Sequence, residues 1–116
     1  MEELFKEKSR TIRIYLTIET IDDPYEKNIK LTELNPIPIK AIVTDLIASS
    51  AQWKMAGIIV DKAKEIIIEK KYRSLLEKSY KIEVNEEFYN GWKVNGLMQI
   101  REEGNYCRIY IYIKKS

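Results

Sequence analysis

The sequence predicts a mainly β chain: a small six- to seven-stranded antiparallel barrel or sandwich, with a long inserted loop and at most short helices. Three observations carry this expectation. Residues 11–19 and 106–114 alternate apolar and polar side chains, the period of a half-buried strand. Nineteen isoleucines and eight tyrosines weight the composition towards residues that fit a pleated surface. Turn signals then recur between the apolar runs at a spacing typical of a sandwich or small barrel. At 116 residues the chain fits one domain, long enough to bury about two thirds of its extended surface. The expected organisation is an N-terminal arm or short helix over 1–10 and a single β-barrel-like domain over 11–116, with its loop at 47–64.

Taken in order, residues 1–10 are polar apart from Leu4 and Phe5. In 11–19, Ile12, Ile14, Leu16 and Ile18 share one parity, and Arg13, Thr17 and Glu19 share the other. This predicts one strand. Asp22-Asp23-Pro24 is a turn, because Asp bonds its own backbone and Pro fixes φ. Ile29 and Leu31 predict a short second strand. Asn35-Pro36-Ile37-Pro38 lacks two N–H donors and cannot be a central strand; Ile39 to Leu46 follows as a third.

Residues 47–64 show no sustained period and read as a long loop, with a short helix around 48–56 as the alternative. Ile66-Ile67-Ile68 suits a strand, and 71–79 a helical turn or two. The rival is one helix over 61–78, against which three consecutive β-branched residues weigh. Tyr80, Ile82 and Val84 mark another strand, ended by Asn85-Glu86-Glu87. Phe88 to Ile100 is one bent strand or a tight hairpin. It holds two type I′ signals, Asn90-Gly91 and Asn95-Gly96, of which one is the turn and the other a candidate bulge. Glu103-Gly104-Asn105 opens the last strand. There Cys107, Ile109, Ile111 and Ile113 face one way, and Tyr106, Arg108, Tyr110, Tyr112 and Lys114 the other.

Composition narrows the chemistry. The chain has no histidine and one cysteine, Cys107. His-based or paired-Cys zinc sites, Ser-His-Asp triads and Cys-His dyads therefore have no residues to build them. The four glycines never fall in a phosphate-cradling spacing. Cys107, on an apolar strand face, is expected to be a small core residue. The acidic pairs Asp22-Asp23 and Glu86-Glu87 lie in turns, where solvent keeps both members ionised. The expectation is no enzyme, no cofactor and no metal. The net charge of +2 is that of a mixed surface. No apolar leader and no run long enough to span a bilayer is visible, so the chain reads as soluble and intracellular where it is made, with no membrane partner.

Two surfaces remain as candidates. The strand exterior Tyr106, Arg108, Tyr110, Tyr112 and Lys114 could stack bases on an OB-type barrel, form a protein interface, or be ordinary cross-strand packing. Within the stretch 54–81, net +4, the loop carries Trp53, Lys54, Met55, Gly57, Ile58 and Lys62. Exposed, its apolar members would be an interaction patch; buried, they are core.

Five stretches also resemble a known family. They are Asp23-Pro24-Tyr25-Glu26-Lys27; Asn35-Pro36-Ile37-Pro38-Ile39-Lys40-Ala41-Ile42-Val43 followed by the long loop with Gly57; and Lys81-Ile82-Glu83-Val84, Tyr89-Asn90-Gly91-Trp92-Lys93-Val94 and Arg108-Ile109-Tyr110-Ile111-Tyr112-Ile113. In this order they resemble the head completion, or stopper, proteins that join head to tail in long-tailed bacteriophages. The resemblance spans most of 11–114 and rests on patterns rather than catalytic signatures. It implies a structural virion protein of the neck, assembled in the host cytoplasm. Such proteins are small β-barrels that form a homo-oligomeric ring below the portal and adaptor, close the DNA channel after packaging and dock the tail. The resemblance places the channel plug in 47–64, touching packaged DNA without sequence specificity. Tail terminator or adaptor roles remain alternatives, as does an OB-like single-stranded nucleic-acid-binding domain.

Overall fold

The computed structural model of the chain describes residues 2–23, 25, 28–55 and 57–115, by backbone alone at 20–23, 28 and 52–54. It is mainly β, with a closed six-strand antiparallel barrel, one extra strand and only short helices. Helix α1 (Glu2–Lys8) starts on Glu2 and Glu3 and ends near Lys6 and Lys8, charges that suit the helix dipole at both ends. It is held by Phe5, which is buried against Tyr106 with ring centroids 5.2 Å apart.

Strand β1 (Arg10–Tyr15) buries Ile12 and Ile14. The predicted single strand over 11–19 breaks at Leu16. From there β2 (Thr17–Asp23) pairs only with β3 (Asn28–Glu33), and the two form a sheet of their own. The alternation continues through the break but its meaning changes: Ile14 is fully buried and Ile18 is exposed. Strand β4 (Ile37–Leu46) changes partner midway. Residues 37–41 pair with β1 and 42–46 with β5 (Val60–Glu69). Pro38 falls in the first half, opposite Arg13 and outside the register with β5, so its missing N–H interrupts no two-sided ladder.

The segment 47–64 is not one loop. Helix α2 (Ala48–Lys54) occupies its first part, and residues 60–64 belong to β5. The helix left no clear period in the sequence because its described anchors are few and small: Ala48, Ala51 and the following Met55. The rival helix over 61–78 is also absent. Ile66 and Ile68 point into the barrel from β5, and helix begins only at the 3-10 turn Lys70–Tyr72 and α3 (Arg73–Lys78). Helix α3 closes one end of the barrel with Leu76, fully buried, a contribution of about 1.5–3 kcal/mol. The Ser79 hydroxyl donates to the Leu76 carbonyl at 2.7 Å where the helix stops.

Strands β6 (Lys81–Val84) and β7 (Glu87–Gly91) are joined by Asn85-Glu86, both with positive φ, 51° and 67°. This is a two-residue hairpin without glycine. β8 (Lys93–Val94) and β9 (Leu97–Met98) turn through Asn95-Gly96, with φ 53° and 78°. Asn90-Gly91 is therefore strand, not turn. At Gly91 a Cβ would run into the Met98 thioether. β10 (Arg101–Glu103) joins β11 (Tyr106–Lys114) through Gly104-Asn105, with Gly104 at φ 59°.

The barrel runs β11-β5-β4-β1-β6-β7 and closes where β7 meets β11 at Gly91–Ile111 and Asn90–Tyr112. β10 is the extra strand. The core is mostly isoleucine: Ile12, Ile14, Ile39, Ile66, Ile68, Ile82, Ile109 and Ile111, with Tyr89 and Cys107 among them. A second, smaller core of Ala51, Met55, Val60 and Ala63 lies under α2.

Candidate interaction surface

The β2–β3 hairpin is an arm that stands off the barrel. The molecule measures 53 × 32 × 25 Å with a radius of gyration of 15.6 Å, against roughly 13 Å for a compact chain of this length. Register partners share a face of a sheet. One face of the arm therefore carries Ile29, Glu19 opposite Leu31, and Thr17 opposite Glu33. Ile29 and Leu31 are 67% and 65% exposed, and Tyr25 beyond them is 94% exposed. A strand pair covered by nothing on this face ordinarily carries polar residues there.

The root of the arm is firmly built. The Leu34 amide donates to the Leu16 carbonyl at 2.9 Å, and the Tyr80 amide to the Tyr15 carbonyl at 3.1 Å. The Lys81 ammonium lies 3.3 Å from the Glu33 carboxylate. It also stands over three rings: Phe88 at 4.4 Å, Tyr15 at 4.6 Å and Tyr80 at 5.3 Å, within cation–π range of each. The Tyr80 hydroxyl donates to Glu33 as well. Behind this cage the Tyr15 hydroxyl donates to Glu83 at 2.6 Å, and Arg13 pairs with Glu83 at 3.1 Å. That bond to Glu83 pushes the Tyr15 phenol above its ordinary pKa, with burial adding in the same direction.

The two surfaces expected from the sequence lie elsewhere and are largely built into the chain's own packing. Met55 is fully buried and Ile58 half-buried, both in the smaller core. Gly57 has φ 87° with open space around it. Lys62 pairs with Glu87 at 2.5 Å, which raises the lysine pKa. The side chains of Trp53 and Lys54 lie outside the described residues. On β11, Tyr106 lies under Phe5, and Tyr110 and Tyr112 pack around Met55 and Trp92. Arg108 reaches Glu103 at 3.1 Å and Glu65 at 3.6 Å. Lys114 is exposed. The tyrosines thus serve mainly as the inner wall of an outer layer, which α1 and α2 supply.

A groove of about 320 Å³ runs beside Asp45, Lys62, Lys64, Glu87 and Tyr89. Both of its lysines are paired, while Asp61 on its rim leaves one acidic charge over: Lys64 pairs with Asp45 and holds that carboxyl below its usual pKa, and Lys62 pairs with Glu87. Burial pushes the Tyr89 phenol up, and its hydroxyl has no hydrogen-bond partner among the described residues. Among the described residues no three potential metal ligands converge, and no helix is long and apolar enough to cross a membrane. Sequence reasoning saw Ile29 and Leu31 only as a strand and missed the cage around Lys81. The available signal was the acidity of residues 17–33 around an apolar alternation. Set against family models, curated proteins and solved structures, the chain matches none.

Proposed function

We propose that this chain is a structural connector of a bacteriophage neck, a stopper-type protein that forms a ring below the portal and adaptor, closes the DNA channel and docks the tail. The observation that carries the reading is a small closed barrel bearing a rooted, outward-pointing arm with exposed isoleucine and leucine. Such a build works by contact with neighbours. The scarcity of helix favours a stopper over an adaptor. Packaged DNA is met without sequence preference.

Within this reading the channel-facing element is the part of 47–64 that precedes β5, since Val60 onward is built into the barrel wall. Gly57, at a φ that a side chain disfavours, is its hinge, and Met55 must leave the smaller core for the segment to rearrange. Single-strand binding by Tyr106, Tyr110 and Tyr112 is the weaker alternative, since these rings are partly covered by their own chain. The test is particle assembly without this protein. Such capsids are expected to lose packaged DNA and to accept no tails. Capsids that keep their DNA and join tails normally overturn the reading.

A further inference from the structure

The inside of the barrel changes character along its length. Register partners share a face of a sheet. Lys64 is opposite Ile111, Asp45 opposite Lys64, and Glu87 opposite Val84. Ile111 and Val84 are core, so all three charged residues stand on the inward face. Helix α3 follows the end of β5 and caps the barrel there with Leu76. At the other end, where β5 begins, the inward positions pass from Ile68 and Ile66 to Lys64 and Lys62. The barrel opens there into the groove of about 320 Å³, and barrel mouths are favoured ligand sites.

Tyr89 is the floor of this mouth. It is 1% exposed and belongs to the main core, yet it lines the groove. Its hydroxyl bonds to no group of the chain among the described residues. The charges that act on that hydroxyl are those of Lys64, Glu87, Lys62 and Asp45, all groove residues, so it is directed at the groove. A buried hydroxyl without a partner is costly, and native proteins rarely keep one. The walls select what can bond it. Three carboxylates, of Asp45, Asp61 and Glu87, face two ammoniums, of Lys62 and Lys64. Each ammonium already has a carboxylate. Asp61 acts on Lys62 at a distance but forms no ion pair among the described residues. An anion would meet net negative charge, and an apolar molecule would leave the hydroxyl unbonded. A bare metal ion finds no three converging ligands among the described residues. An organic cation with N–H donors answers the spare carboxylate and gives the phenol oxygen a hydrogen bond.

We propose that the open mouth of the barrel is a binding site for a small alkylammonium ion, whose N–H donates to the Tyr89 hydroxyl oxygen and whose charge is balanced by Asp61. The two ion pairs, Lys62 with Glu87 and Lys64 with Asp45, form the walls and stay intact. The Tyr89 ring is held by the isoleucine core beneath it, so the acceptor is fixed in place before the cation arrives, which lowers the ordering cost of binding. The site is a property of the barrel alone and is independent of the connector role.

Titration of the full chain with n-butylammonium chloride, followed by amide chemical shifts, tests it. Saturable shifts are expected at Lys64, Glu87 and Tyr89, with a Kd of about 1–10 mM at low salt that rises as salt screens the charges. Tyr89→Phe keeps the ring and removes only the oxygen; it is expected to weaken binding about tenfold, the loss of one charge-assisted hydrogen bond. Asp61→Asn, at an exposed position, is expected to weaken it about two- to fivefold. n-Butanol has the same chain without the charge and is expected not to saturate. In the absence of amine, Tyr89→Phe is expected to melt no lower than the wild type, because it removes a hydroxyl that the chain leaves unbonded. No saturable shift, a Kd unchanged in either variant, or equal binding of butanol overturns the proposal. So does a Tyr89→Phe variant that melts several degrees lower, since its hydroxyl would then already be bonded.

Discussion

Replacing Lys81 by Met removes the charge from the cage at the arm's root and keeps the length of the side chain. The wild-type ammonium has one carboxylate partner at 3.3 Å, with the two side chains 26% and 45% exposed. Such a pair contributes about 0.2–1 kcal/mol after solvent screening. The rings at 4.4, 4.6 and 5.3 Å add about 0.5–1 kcal/mol in total, because one ammonium cannot face all three at once. The expected loss is therefore about 1–2 kcal/mol at low salt. With an unfolding entropy near 2.1 cal/mol/K per residue, this lowers Tm by about 4–8 °C. The loss should be local first. Hydrogen exchange at the Leu34 amide, bonded to Leu16, is expected to quicken about tenfold while amides of β11 change little at equal overall stability. Salt should matter: in about 1 M salt the wild type loses the ion-pair part of the difference. If Leu34 exchange and Tm both match the wild type, the cage does not hold the arm. If the full loss persists in high salt, its origin is packing rather than charge.

Other outcomes follow from the same geometry. Met55→Ala empties the centre of the smaller core; a buried Met→Ala change costs about 2–5 kcal/mol, and exchange at the amides of Ala51 in α2 and of position 55 just after it should rise while barrel amides stay protected. Equal loss across the barrel would show that the two cores are one cooperative unit. Asp45 and Glu102 have carboxyls held below their ordinary pKa, by hydrogen bonds from Lys64 and Arg73 respectively. The unfolded chain therefore binds protons first as the solution is acidified. The stability these groups contribute is present above the ordinary carboxylate range, near pH 4, and is lost as pH falls through their lower folded values. Urea midpoints measured against pH should fall on acidification below about pH 4, and less steeply in Asp45→Asn with Glu102→Gln; an unchanged slope would refute the assignment.

Much of the barrel was legible because its cores are written in local alternation. In β11, Cys107, Ile109 and Ile111 face inward as their parity requires, and Asn95-Gly96 makes the turn its dipeptide favours. What alternation does not encode is the partner. Ile14 and Ile18 sit on the same parity, yet one is core and the other arm, because the chain leaves the barrel at Leu16 and the period runs on. The turn at Asn85-Glu86 was readable as a turn, but its type was hidden, since Glu rarely takes positive φ. Helix α2 was hidden by its brevity. The interaction surface was least legible of all. Lys81 gathers Tyr15, Tyr80, Phe88 and Glu33 from separate strands and connections, and nothing local announces their meeting. The tyrosines of β11 were visible, whereas the short helices that cover them were readable only as alternatives to an arm and a loop.

Cys107 sits in the barrel core, 1% exposed, on a strand that pairs with β5 along its whole length. Burial lifts its thiol above the ordinary pKa, which further slows reaction with electrophiles. As the chain's sole sulfhydryl, it is a built-in clock: alkylation can proceed only as fast as β11 parts from its neighbours, so the labelling rate of the unmodified protein counts those openings directly. A second cysteine placed at Tyr25, on the exposed tip of the arm, would react at once and alone. One molecule would then carry a fast reporter on the part that reaches out and a slow one in the part that must not open.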